Sequence, residues 1–227
     1  FNFRVFTFNF DIIRDIFRLG VPSSLSMIIM SMGVMLFNSI LGSSHAVAAY
    51  QTAGRIEHLF FLPIISIATS LVTLVGMFYG AKRFDLIRTM IKYGLTRAVA
   101  ISLSFSVLFL FFSDSILPAF TDSPEIIRLS VLYFKIMAFA YPFITIGMTS
   151  TRIMQGLGVA YPMFILTLFR VVIISASLAW YFVMILEKPV YYAWVGTLIS
   201  CIITAGVSLF WLRSILRRSF KSAVEPV

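Results

Sequence analysis

The segment "LFFLPIISIATSLVTLVGMFYGA", Leu59 to Ala81, runs 23 residues without a charge. An apolar stretch needs only about 20 residues to cross the hydrocarbon layer as a helix. The chain repeats this pattern, and spans are predicted at 21–41, 47–79, 94–112, 124–157, 161–186 and 191–212. With 60% of its residues hydrophobic, 16% of all residues aromatic and a mean hydropathy of +0.99, a chain of 227 residues holds more apolar surface than one soluble core hides. The runs are apolar on every face and lack the strict alternation of barrel strands. The predicted fold class is therefore all-α, a polytopic bundle of six transmembrane helices. The second and fourth runs are too long for an upright span and predict tilt or extension beyond the bilayer. Pro63 and Pro142 lie inside them and are expected to kink them.

Basic residues orient such a bundle, because cytoplasmic loops carry excess Lys and Arg. Arg4, Arg14 and Arg18 precede the first span, Lys82, Arg83, Arg88 and Lys92 follow the second, and Arg213, Arg217, Arg218 and Lys221 follow the sixth. All three clusters fall on one side. "GSSHA" and "SDSILPAFTDSPE" on the other side contain no Lys or Arg, while "LEKP" near Glu187 has one. Both termini are thus expected in the cytoplasm and the chain in the plasma (inner) membrane. The expected organisation is an amphipathic lead-in over 1–19, a six-helix transmembrane lobe over 20–212 and a basic tail over 213–227. The lead-in sets Phe10, Ile13 and Phe17 on one face, with Asp11, Arg14, Asp15 and Arg18 elsewhere. The first residue is Phe1, and no signal-peptide plan follows it; the chain is expected to be part of something longer.

The net charge of +9 flanks hydrophobic spans instead of forming a basic domain. Lipid headgroups, and not nucleic acid, are the partner this implies. The single cysteine, Cys201, supports neither a disulfide framework nor a cysteine-based metal site. HExxH, GxSxG and GxxxxGK[ST] are all missing from the sequence, and two histidines and one cysteine give a hydrolase little to work with. The chain is expected not to be an enzyme.

Charges inside the spans carry the functional information. Even on the mildest scale a charge at mid-membrane costs about 2.5–3.5 kcal/mol, so such a group faces a cavity or a partner. Glu57 and Lys135 each lie roughly ten residues from the outer end of their spans, near the same depth of about 15 Å. Arg170 also falls near the midplane and Arg152 nearer the inner end. Arg55 points about 160° away from Glu57 on a helix and is a poor partner for it. Two readings of Glu57 stay open: an exchangeable carboxylate that pairs with a cation or Lys135, and a static ion pair tying spans two and four. His58 is either a proton relay or a histidine satisfied against a neighbouring helix. His45 is expected to be exposed in a loop. "QGLG", Gln155 to Gly158, is expected to end span four, with Gln155 at the inner mouth. Tyr50, Phe61 and Tyr141, among other aromatics that include Tyr133, are candidates for π contact with a bulky cation or for packing.

The series "FRLGVPSSLSMIIMSMG", "AVAAYQTAGRIEHLFFLPIISIATSLVTLVGMFYGAKR" and "RIMQGLGVAYPMFILTLFR" resembles, in order and spacing, the second half of multidrug and toxic compound extrusion (MATE) transporters. The resemblance implies the C-terminal six-helix lobe of a twelve-helix antiporter, lacking here its N-terminal lobe. It implies export of organic cations driven by a proton or sodium gradient, with no prosthetic group. Many members of the family carry acidic residues in the first and fourth helices of this lobe. Here the first span has none and the fourth carries Lys135, which counts against sodium coupling through this lobe and implies a coupling carboxylate in the absent half, with Glu57 in a supporting role. Arg170 matches an arginine in the family's "LxxxR", which implies a structural role. A flippase for lipid-linked saccharides or peptidoglycan precursors is the alternative that the same superfamily offers, and Lys135, Arg152 and Arg170 suit its anionic substrate.

Overall fold

The computed structural model describes residues 10–221, with side chains to residue 219. Among these residues six helices are long and apolar enough to cross a membrane. They are α1 (Phe10–Leu41), α2 (Ser44–Gly80), α3 (Phe84–Ile116), α4 (Pro124–Gly156), α5 (Tyr161–Ile185) and α6 (Tyr191–Lys221). The connections are short, so successive helices run antiparallel and the sixth returns to the side where the first began. Arg4 and the first nine residues of the expected lead-in lie outside the described residues, as do 222–227 of the basic tail. Residues 10–19 continue into α1 without a break, and 213–221 continue α6.

Five of the six helices exceed 30 residues, α2 reaching 37. At the helical rise α2 is about 55 Å long, well beyond a hydrocarbon layer of about 30 Å. Excess length is thus a general property of this bundle and not peculiar to the second and fourth spans. Backbone hydrogen bonding keeps α2 and α4 helical through Pro63 and Pro142, and α1 through Pro22. The fifth span breaks the regular pattern that its sequence predicts. It opens as α-helix over Tyr161–Leu168, widens to π-helix over Phe169–Ala176 and, after one α turn, widens again over Tyr181–Ile185.

α4 is the centre of the bundle, packing against α6, α2 and α3. Lipid tails are as apolar as leucine, so close packing and interhelical hydrogen bonds hold such helices together. Small residues provide the approach: a Cβ added to Gly156 would stand 2.7 Å from the Val72 carbonyl oxygen and 3.1 Å from the Val75 Cβ. Beyond Gly156 the chain turns through Gly158 at φ +82°, the left-handed conformation that glycine adopts without a Cβ penalty. The "QGLG" segment therefore ends α4 as expected. Ser130 adds a direct tie, its Oγ donating to the Ala49 carbonyl of α2 at 3.2 Å.

Candidate functional site

Where α2 crosses α4, the Glu57 carboxylate is held by two tyrosines of the central helix. The Tyr141 hydroxyl donates to Oε1 at 2.6 Å and the Tyr133 hydroxyl to Oε2 at 3.1 Å. A helix advances 100° per residue, so positions 133, 137 and 141 lie within one 80° sector of α4. The intervening Met137 is buried on that face. Packing fixes both rings: Tyr133 meets Trp194 edge-on with centroids 5.3 Å apart, and Tyr141 meets Phe61 at 5.5 Å and Phe109 at 5.8 Å. Tyr141 is 1% exposed and Tyr133 4%. The two donors therefore reach Glu57 from rigid aromatic surroundings.

Glu57 itself is half-buried, and it forms part of the wall of a cavity of about 450 Å³ together with Tyr50, Gln51, Arg55, His58 and Tyr133. Tyr50 stacks on Phe37 at 5.8 Å and stands edge-on to Tyr133 at 5.9 Å. Gln51 donates to the Asn38 side chain at 3.2 Å, linking this wall to α1. Among the described residues no basic side chain lies within salt-bridge distance of Glu57. The two hydroxyls stabilise a carboxylate without cancelling its charge. A carboxylate so placed is a binding point for something positive that arrives through the cavity: a proton, a metal cation or an organic cation.

The remaining charges distribute differently from the sequence expectation. Lys135 does not meet Glu57. It lies about 160° around α4 from Tyr133, and its Nζ pairs with Asp114 Oδ2 of α3 at 3.3 Å, both side chains substantially exposed. Similar depth brought the two residues together on paper; the azimuth around α4 separates them. Of the two roles open for Tyr141, π contact or packing, its ring takes up packing, closed in by Phe61 and Phe109, while its hydroxyl serves Glu57 as a buried donor. Phe61 packs half-buried on that ring and is not part of the cavity wall. Tyr50 does line the cavity, as does exposed His58. Arg55 shares the cavity with Glu57 yet makes no ion pair with it.

Arg152 donates from Nη1 to Gln155 Oε1 at 3.1 Å, and Gln155 donates from Nε2 to Ser23 Oγ of α1 at 3.1 Å. Ser23 in turn donates to the Leu19 carbonyl at 2.9 Å. Arg152 and Gln155 thus form a polar strap between α4 and α1, away from the Glu57 site. Arg170, on the first π-helical turn of α5, lies 3.3 Å from Met30 Sδ of α1 and within electrostatic reach of Tyr50 and Cys201. His45 belongs to the first turn of α2, where its Nε2 stands 3.5 Å from Glu125 Oε2. The donor role of Tyr133 and Tyr141 escaped sequence reasoning. Their spacing on one face of α4 was visible; that this face meets Glu57 was not.

These features define a multi-pass helical membrane protein whose central helices present a tyrosine-held carboxylate to a cavity. The MatE family model matches residues 22–181, and the chain belongs to the MatE family. Among curated relatives, the probable multidrug resistance protein NorM of Thermotoga maritima is 25% identical over 203 residues, covering 88% of this chain and 44% of that protein. NorM of Acinetobacter baylyi is 31% identical over 137 residues, covering 59% of this chain and 30% of that protein. A MOP-superfamily transporter from Pyrococcus furiosus, whose structure is described as having a binding pocket of reverse polarity, superposes with a TM-score of 0.91 at 27% identity. It matches 96% of this chain over 50% of its own length. An outward-facing multidrug resistance MATE transporter superposes at 0.90 and 27% identity, with 97% and 50% covered. The chain spans about half the length of the relatives it matches, so it corresponds to one six-helix lobe.

Proposed function

We propose that this chain is the C-terminal lobe of a secondary active transporter. It exports organic cations by alternating access, rocking against a second six-helix lobe and exchanging substrate for a proton or sodium ion. The observation that carries this reading is the Glu57 carboxylate, held by two tyrosine hydroxyls at the wall of a 450 Å³ cavity with no basic side chain, among the described residues, within salt-bridge distance. A group so placed favours a positive occupant, and transport follows if a coupling ion and an organic cation compete for it. Tyr50 supplies a π face on the same wall, suited to a bulky cation. Family membership and the multidrug resistance names of the relatives support drug-like substrates.

The test uses the full-length parent in sealed vesicles, measuring export of a fluorescent organic cation under an imposed proton or sodium gradient. Export driven by either gradient and weakened in Glu57→Gln supports both antiport and the role of Glu57. Export untouched by Glu57→Gln places coupling in the other lobe. A second reading, transport of anionic lipid-linked precursors, draws on Arg55 at the same cavity wall. Failure of cation export under both gradients, with uptake of an anionic lipid precursor, would favour it.

A further inference from the structure

On its α1 side the cavity beside Glu57 is bounded by Val34. With a helix advancing 100° per residue, Ser23, Met27, Met30 and Asn38 all fall within about 40° of Val34 around α1. Both ends of this sector are tied to the bundle. Asn38 accepts from Gln51 of α2 at 3.2 Å, and Ser23 accepts from Gln155 of α4 at 3.1 Å. Polar ties at the two ends turn the sector toward α2 and α4 and away from lipid. Between them Met27 is 70% and Met30 48% exposed, so the cavity continues along α1 as an open track lined by thioethers. At the helical rise the track extends about 10 Å from Val34 to Met27.

The face that α1 packs against the rest of the lobe lies elsewhere. Ser26, Ile29, Gly33 and Ile40 are buried roughly 80–140° around the helix from Val34, and a Cβ on Gly33 would collide with Val171 of α5. Two further methionines, Met32 and Met35, are as exposed as the first pair, at 52% and 69%. They stand about 100–160° from Val34 on the other side, outside the track.

Charge sets the orientation of an occupant. Glu57 is the one acid of the cavity wall among the described residues. Arg170 Nη2 lies 3.3 Å from Met30 Sδ, and Arg152 joins Gln155 beyond Ser23. A positive group therefore belongs at Glu57, and the part of the same molecule that reaches Met30 and Met27 is uncharged. Methionine suits such a surface, because its flexible, polarisable thioether fits apolar and aromatic bodies of different shape.

We infer that Met27 and Met30 form an adaptable apolar bed for the uncharged body of the cation whose positive group is held at Glu57. This assignment rests on the cation transport proposed above and names the residues that select the body of its substrate.

The probe is radiolabelled tetraphenylphosphonium, a positive centre wrapped in phenyl rings. Equilibrium binding is measured on the full-length parent in lipid nanodiscs, with empty discs as background, and gradient-driven export in sealed vesicles. Met27→Ala/Met30→Ala is expected to weaken binding about tenfold, and Met27→Ala, which leaves the contact of Met30 with Arg170 in place, about threefold. Met32→Ala/Met35→Ala is expected to bind as the parent does. Met27→Leu/Met30→Leu keeps an apolar surface and should stay within about threefold of the parent. Unchanged binding in the first alanine pair, equal losses in both alanine pairs, or no binding by the parent would each overturn the bed. A leucine pair as weak as the alanine pair would overturn its apolar character. Binding that depends on Met27 and Met30, without export under a proton or sodium gradient, would refute the transport reading and leave the bed standing. Export that depends on Glu57, with binding indifferent to both methionines, would do the reverse.

Discussion

Replacing Tyr141 by phenylalanine removes one oxygen and nothing else. The ring keeps its contacts with Phe61 and Phe109, and at 1% exposure no water reaches the vacated position from the tyrosine side. What is lost is the 2.6 Å hydrogen bond to Glu57 Oε1. Interhelical hydrogen bonds between neutral groups in membranes average about 0.6 kcal/mol, whereas a bond to an ionised acceptor is worth about 1.5–3 kcal/mol. A double-mutant cycle of Tyr141→Phe with Glu57→Gln therefore reports both the contact and its charge state. The glutamine amide oxygen still accepts a neutral hydrogen bond, so a coupling of about 1–2 kcal/mol, the excess of the ionised over the neutral bond, is expected for an ionised Glu57. The assay is a denaturing-detergent titration of the full-length parent in mixed micelles, comparing the four proteins of the cycle. The same cycle with Tyr133→Phe should give a smaller value, because that contact is longer, at 3.1 Å. Coupling within the scatter of independent sites, roughly 0.3–0.5 kcal/mol, would refute the idea that the hydroxyls hold an ionised carboxylate.

Other perturbations test the packing and the charges apart from Glu57. Lys135→Met should change stability by no more than about 1 kcal/mol, as its pair with Asp114 is largely exposed, and should leave gradient-driven export intact; loss of export would return Lys135 to the Glu57 site. Gly156→Ala should destabilise the parent by about 1–3 kcal/mol in the same titration, because the added methyl meets the Val72 carbonyl oxygen and α2 must shift. Gln155→Leu removes the link from Arg152 to Ser23, and a spin-label distance between the nearby ends of α1 and α4 should broaden; an unchanged distribution would show that the strap holds nothing.

The sequence by itself determined the class of fold. Each span must satisfy its backbone within its own helix, so uninterrupted apolar runs such as 59–81 are legible without any partner. Helix ends followed the same local logic at "QGLG", where Gly158 alone takes the left-handed turn. Intramembrane acids are scarce and costly, which singled out Glu57. Pairing was decided elsewhere. Depth can be counted along a chain, but azimuth between helices cannot, and it was azimuth that turned Lys135 toward Asp114 and left Glu57 to Tyr133 and Tyr141. The π-helical stretches of α5 were equally hidden, since no residue in 169–176 demands a widened turn on its own.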